Sequence, residues 1–343
     1  MIAGLKATPS RVRLGIVSLG IVVLAREAGI MASESEMIAA LAHVFASADP
    51  NLIVGIGDDG AVIKASSANL VAATDMAVEG VHFKRDWSTL HQIGAKLAAA
   101  NLADIVAMGA TPKYLLVSAG LPADFDVTKI TELAHGIKAE ADLVGVHIIG
   151  GDISKSSELV ISITALGEVQ SPIKRGGAQL GDLVVLSNLT GASAAGLAQL
   201  SAGMSTSPFV DQHKKPVIDY KMGAQFAAPT TRVNSMCDVS DGLLVSLEEI
   251  AGASGLSIEI EMKAFASISG FTELSNCAAA QGMDVFEWIL TGGEDHAFIA
   301  TTSMPIPSGA TVIGKVQAGS GVKILGLDQA ASWLQKPGFT HNF

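Results

Sequence analysis

The side chains able to do chemistry in this sequence are mostly carboxylates set beside glycine. Gly55-Ile56-Gly57-Asp58-Asp59-Gly60-Ala61 follows the apolar run Leu52-Ile53-Val54. Its glycines permit tight turns and close backbone approach to a ligand, and its adjacent carboxylates repel each other unless cations are near. Such a loop can offer backbone N–H groups and hard oxygen ligands together, which suits a metal-bound phosphate; a hairpin-like acidic turn is the plainer reading. It lacks the terminal Gly-Lys-Ser/Thr of the common phosphate-binding loop. Further acids recur in comparable settings: Asp75 after Thr74, Asp152 after Gly150-Gly151, and Asp238 and Asp241 around Val239-Ser240. Asp104 is expected to face inward from a helix. A turn or a cap explains any one of them. Seven together suggest a cation site, and with only two cysteines and no histidine cluster the hard-oxygen set favours magnesium over zinc.

Three other residues stand out. Arg175 lies in a glycine-flanked turn suited to bidentate contact with phosphate, or is a solvated surface arginine. His82 could bind a phosphate or satisfy a loop. Glu294, in Gly292-Gly293-Glu294-Asp295, could meet an organic cation or serve as a turn carboxylate.

These side chains need strands and helices to hold them. Ser33-Glu34-Ser35-Glu36 offers a capping box for a helix whose apolar positions run from Met37 to Phe45. A strand is expected over Asn69 to Ala73, ending on Thr74-Asp75. A long helix should begin near Ser88 or Thr89 and run to Met108, closed by Gly109, with Leu97, Asn101, Asp104 and Met108 on one face. Tyr114 to Leu121 reads as a strand, Val127 to Val144 as a helix capped by Asp126, His147 to Ile149 as a lead into Gly150-Gly151-Asp152, and Leu159 to Gly167 as a strand. Lys174-Arg175-Gly176-Gly177 marks a domain boundary. Beyond it, strands are expected at Leu183 to Ser187, Leu256 to Ile260, His296 to Ala300, Thr311 to Val316 and Val322 to Leu325. Helices are expected after Gly191 and through Leu243, Leu244, Leu247 and Ile250. The alternation argues an α/β or α+β architecture.

Composition sets outer limits. The chain has 343 residues, enough for two domains with substantial cores, and its 49% hydrophobic content excludes disorder. With 33 acidic against 22 basic side chains the net charge is −11, which speaks against nucleic acid as a partner. Cys237 and Cys277 alone form no disulfide framework, and a cytoplasmic location is expected. Residues 1–30 stand apart. Arg11 and Arg13 precede an apolar run from Leu14 to Ala25 that resembles the front of a signal peptide but is too short to span a bilayer. They are read as an extension outside the fold or a start placed too early, with Met31 the alternative, so no membrane association is expected.

The ordered motifs carry a family resemblance. Gly57-Asp58-Asp59, Thr74-Asp75 with His82, and Asn101-Leu102-Ala103-Asp104-Ile105-Val106-Ala107-Met108-Gly109-Ala110 resemble the thiamine-monophosphate kinases. Gly150-Gly151-Asp152, Arg175-Gly176-Gly177-Ala178, Asp238-Val239-Ser240-Asp241-Gly242 and Gly292-Gly293-Glu294-Asp295 continue the match in order, from about residue 33 to the end. That family belongs with ATP-binding proteins such as aminoimidazole ribonucleotide synthetase and selenophosphate synthetase. The resemblance implies a two-domain, synthetase-like fold. Its amino-terminal α/β domain, residues 31–170, would dimerise and carry the ATP site; its carboxy-terminal α+β domain, residues 171–343, would close over it. The matching positions imply that Asp59, Thr74, Asp75, Asp104, Asp152, Asp238, Asp241 and the Ala73 carbonyl hold several magnesium ions. Asp59, Asp75, Asp104 and Asp241 would be the catalytic set. Gly151, Asp152, Arg175 and Ser240 would contact ATP, and His82, Glu294 and Phe339 the thiamine phosphate. The chain departs from the family at His296, where Tyr is usual, and at Ala103, often Ser.

The implied reaction moves the γ-phosphoryl group of ATP directly onto the phosphate of thiamine monophosphate in a homodimer. An aminoimidazole ribonucleotide synthetase-like ligase and a nucleotide-binding regulator without turnover are the rival readings. No cysteine lies near the amino-terminal glycine loop, which disfavours selenophosphate synthetase.

Overall fold

The computed structural model describes residues 33–57, 60–303, 306–327 and 332–335. Asp58, Asp59, Phe339 and the first 30 residues, on which expectations were placed, lie outside that set.

Helix α1 (Glu34–Val44) begins as its sequence dictates: the Ser33 side chain accepts from Glu36 N while Glu36 reaches back to Ser33 N. The glycine-aspartate stretch connects β1 (Leu52–Val54) to β2 (Val62–Ile63), paired antiparallel, and so occupies a hairpin. Gly57 sits there at φ 119°, which a side chain would resist.

The first sheet has the order β3-β6-β4-β5, formed by β3 (Asn69–Val78), β4 (Thr111–Leu121), β5 (His147–Lys155) and β6 (Val160–Val169). β4 and β5 are parallel; the other pairs are antiparallel. β3 does not stop at Thr74-Asp75 as expected. Its ladder with β6 is continuous from Asn69↔Val169 to Val78↔Val160, because a full-length partner strand satisfies those backbone groups. Thr74 and Asp75 therefore point to opposite faces. β5 likewise carries Gly150-Gly151-Asp152 inside the strand rather than beyond it.

Helices α2 (Leu90–Ala107) and α3 (Val127–Asp142) pack on the face that buries Ile161, Ile163 and Ala165. Thr89 caps α2 and Asp126 caps α3, as expected. The two helices approach through glycine: a Cβ on Gly136 would lie 2.0 Å from the His91 carbonyl oxygen, and one on Gly94 2.2 Å from that of Leu133. The other sheet face leaves Leu70 and Met76 at 65% and 60% exposure.

The second half alternates elements less regularly. In chain order they are β7 (Leu183–Leu186), α4 (Ala192–Ser201), α5 (Pro208–Lys214), α6 (Tyr220–Phe226), β8 (Val233–Val239), α7 (Leu243–Ser254) and β9 (Ser257–Glu261). They continue through α8 (Met262–Phe265), α9 (Phe271–Ala280), α10 (Val285–Thr291), β10 (Ala297–Thr302), β11 (Thr311–Gln317) and β12 (Gly321–Leu325). Helices α5, α6, α8 and α9 and strand β8 were not anticipated, and α10 was not recognised as a helix. The sheet order is β12-β9-β11-β7-β10-β8.

Helix α2 is the wall the two halves share. Its Val106 meets α6 so closely that a Cβ on Gly223 would lie 2.4 Å from Val106 Cγ1 and 2.8 Å from the Phe298 ring of β10. One apolar core thus runs from Ile163 and Leu102 through Val106 to Phe226 and Phe298. Side chains on α2 face β3 on one side and β8 on the other.

Candidate active site

Between the halves lies a cleft of about 750 Å³. Its acidic end is built from four elements: Asp75 of β3, Asp104 of α2, Asp238 at the end of β8, and Asp241 in the turn before α7. Asn101, one turn before Asp104, accepts from Asp75 N at 3.1 Å and donates to the Leu97 carbonyl at 2.9 Å, which locks β3 to α2. The inward polar residues expected on this helix thus have their partners. Asp75 and Asp104 share a hydrogen bond, and Asp238 Oδ2 lies 3.0 Å from His296 Nδ1.

The electrostatics are those of a site short of positive charge. Burial first, then the charges of Asp238 and Asp75, push Asp104 up to about 8. Burial likewise raises Asp75, with the His296 charge opposing and that of Asp238 adding to it. Burial alone would lower His296, but its bond to Asp238 and the surrounding carboxylates raise it instead. The residue that departs from the family pattern therefore sits inside the acid cluster, bonded to Asp238. Among the described residues no three acids, histidines or cysteines already surround one point as metal ligands. The donor set nonetheless fits magnesium. It is all hard oxygen, and it retains a proton that a divalent cation would displace.

Not all the expected ligands gather here. Thr74 faces the opposite side of the sheet, where its hydroxyl donates to the Ile163 carbonyl at 3.1 Å and lies 3.0 Å from Thr164 Oγ1. Ala73 sits in the ladder opposite Ala165. Gly151 and Asp152 line a second cavity of about 720 Å³, with Gly57, Gly60 and apolar side chains of α1 and α3 around it. Register places Asp75 in one row with Ile163, Val117 and Gly151. Three strand spacings, about 14 Å, separate its ends, so Asp75 and Asp152 cannot share an ion. Arg175, half exposed, pairs with Glu249 at 3.3 Å and lies near enough to Asp238 to feel its charge. Ser240 lines the first cleft and its carbonyl accepts from Glu294 N at 2.7 Å.

Apolar side chains also line the cleft. Val81, Phe83 and Trp87 follow β3, Ile93 and Leu97 come from α2, and Leu197 and Trp288 from α4 and α10. His82 lies among them; its Nδ1 accepts from Val78 N at 3.1 Å, which in the neutral ring puts the proton on Nε2. Glu294 is held at φ 65° in the turn after α10. Its neighbour Asp295, fully buried, accepts from Gly191 N at 2.6 Å and Ser193 N at 2.9 Å and so anchors the start of α4. Glu294 pairs with Lys96 of α2 at 3.0 Å. Sequence reasoning missed Lys96, although its position two turns ahead of Asp104 on one helix was a usable signal. It also missed His213, whose Nδ1 lies 2.9 Å from Ser193 Oγ and 3.5 Å from Glu294 Oε2. Serine and glutamate meet the same ring nitrogen, so these three form no nucleophilic relay.

The chain matches two family descriptions in succession: AIR synthase related protein, N-terminal domain, over residues 57–169, and AIR synthase related protein, C-terminal domain, over residues 179–326. It is 38% identical over 271 residues to the thiamine-monophosphate kinase of Mycobacterium tuberculosis, covering 78% of this chain and 80% of that protein. Among solved structures it is similar to thiamine-monophosphate kinase from Stenotrophomonas maltophilia, with 26% identity, TM-score 0.74, and coverage of 86% of this chain and 97% of that one. It is also similar to AaThiL complexed with AMPPCP and TMP, with 28% identity, TM-score 0.73, and coverage of 92% and 100%.

Proposed function

From the premise that the chain belongs to the AIR synthase related proteins and, within them, to the thiamine-monophosphate kinases, we propose how its cleft performs their reaction. The protein is an enzyme that transfers the γ-phosphoryl group of ATP to thiamine monophosphate, giving thiamine diphosphate and ADP. The observation that carries the site assignment is the convergence of Asp75 and Asp104 from one half with Asp238 and Asp241 from the other in one cleft that apolar side chains also line.

The acceptor phosphate is already an anion near neutral pH, so no strong base is needed. The obstacle is repulsion between two phosphates that must approach in line. Asp75, Asp104, Asp238 and Asp241 would hold magnesium, which would supply positive charge between the phosphates, with Asp59, Thr74, the Ala73 carbonyl and Asp152 proposed as further ligands. Asp152 and Gly151 take the nucleotide at the β5 edge, whose apolar cavity suits a base. Arg175 and Ser240 hold ATP from the second half. Arg175 is close to Asp238 already and adds a cation where charge develops. His82 and Glu294, with Phe339, hold the thiamine phosphate, and the apolar walls exclude water around its rings.

The boundary between the halves falls at residues 170/171. The enzyme is a homodimer in which a second copy covers the sheet face bearing Leu70 and Met76, since apolar exposure of that kind on a strand face calls for a partner. It works in the cytoplasm; among the described residues no helix is long and apolar enough to cross a membrane.

A coupled assay for ADP with thiamine monophosphate as acceptor tests the reaction. ATP turnover indifferent to that acceptor refutes it. Rapid-quench sampling tests direct transfer, and a phosphorylated protein intermediate, on His82 above all, overturns it.

A further inference from the structure

Lys96 belongs to α2 and Glu294 to the turn after α10, so their 3.0 Å ion pair joins the two halves across the floor of the cleft. A lysine only 7% exposed is tolerated when its charge is matched. Glu294 reaches it through a left-handed backbone, φ 65°, that a residue with a side chain adopts at a cost. Its surroundings over-determine that conformation: Glu294 N donates to Ser240 O, Asp295 is pinned to the start of α4, and His296 N donates to Val239 O. The Glu294 side chain keeps 35% of its surface exposed in the cleft wall.

The other neighbour of Glu294 supplies no charge. Burial and the Lys96 charge hold His213 near 4, so it is neutral at pH 7. Burial works to raise Glu294, yet its pKa is lowered, with the Lys96 charge the largest opposing cause. Among the described residues, Lys96 is thus the one permanently charged group in ion-pair contact with Glu294. Along the same helix, Lys96 and Asp104 are eight residues apart, about 12 Å. One rigid element therefore carries both the lysine that holds Glu294 and an acid of the cluster.

We propose that Lys96 is a positioning residue for recognition of the acceptor's rings: it holds Glu294 as an aimed carboxylate in the cleft wall, where that carboxylate takes the positively charged ring portion of the substrate. The proposal rests on the thiamine monophosphate reading. It separates two tasks along α2, ring recognition at Lys96 and phosphate chemistry at Asp104. Without the ammonium group, Glu294 takes up a proton or turns from the cleft, and ring binding weakens while the phosphate end is untouched.

Steady-state kinetics of wild type, Lys96→Met, Lys96→Arg, Glu294→Gln and the Lys96→Met/Glu294→Gln double variant test this, with thermal melts to establish folding. Lys96→Met should raise the KM for thiamine monophosphate about tenfold with kcat and the KM for ATP little changed. Lys96→Arg should recover most of the loss. In the Glu294→Gln background the lysine substitution should have little further effect. A fall in kcat with an unchanged KM for the acceptor overturns the proposal, because Lys96 then acts at the phosphates. Equal effects in both backgrounds overturn it too. Should Lys96→Met not fold, calorimetric binding of thiamine monophosphate to Lys96→Gln gives the same discrimination. Wild-type protein that releases no ADP with this acceptor sinks the substrate reading itself, whereas wild-type turnover with an unaltered Lys96→Met sinks the lysine's role alone.

Discussion

Gly136→Ala is the most searching single substitution the fold offers, because it adds one methyl group where two backbones touch. The new Cβ would lie 2.0 Å from the His91 carbonyl oxygen, 2.8 Å from its carbon and 2.9 Å from its Cα. Real Cβ atoms essentially never come within 3.0 Å, so α2 and α3 must part by at least about 1 Å. No flexible side chain is available to yield, and overpacking of this kind costs about 1–3 kcal/mol. Alanine's better helix propensity returns up to about 1 kcal/mol. The net destabilisation should therefore be about 1–2 kcal/mol in urea unfolding. The functional loss should be larger in proportion, since α2 carries Lys96, Asn101 and Asp104. Displacing catalytic groups by about 1 Å costs on the order of 10²-fold in rate. Gly252→Ala in α7 is the control: nothing lies within 4 Å of its Cβ position, so it should be neutral or slightly stabilising with full activity. A Gly136→Ala protein as stable and as active as the Gly252→Ala control would refute the claim that the glycine contact sets the position of α2.

The remaining expectations concern charge, hydrogen bonding and assembly. Asp104→Asn should lower kcat on the order of 10²-fold, and chelation of divalent ions should abolish wild-type activity until magnesium is restored; catalysis that survives chelation contradicts the site assignment. Burial pushes Asp295 up to about 6, so the folded form keeps a proton that the unfolded chain releases near 3.8. Stability from this group is full below about pH 4 and lost by about pH 6, a difference of about 3 kcal/mol. Melts of Asp295→Asn should lack that slope, and parallel curves would count against it. Tyr220 donates to Glu140, a residue 2% exposed, at 2.8 Å, with Lys215 no nearer than 4.0 Å. Tyr220→Phe should thus cost about 1–3 kcal/mol in denaturant unfolding. Leu70→Lys, on the uncovered sheet face, should shift the protein toward monomer in sedimentation; an unchanged assembly would place the dimer contact elsewhere.

The sequence by itself determined what depends on near neighbours. Ser33 with Glu36, Thr89 and Asp126 start their helices because a capping side chain bonds a backbone group three residues away. The strand-forming runs and the inward Asn101 and Asp104 were legible for the same reason, as was the set of acids beside glycine. Only the tertiary structure decided how those pieces divide the work. Thr74 and Asp75 part because β6 prolongs their strand, and a pleated strand sends adjacent side chains to opposite faces. Asp152 is carried three strands away by a sheet order that no local pattern encodes. Lys96 meets Glu294 because one helix is shared by the two halves, and His296 meets Asp238 because β10 pairs with β8. Residue type and spacing name the groups capable of chemistry. Which of them share a cavity is set by long-range packing, where burying a continuous apolar core outweighs the cost of bringing like charges together.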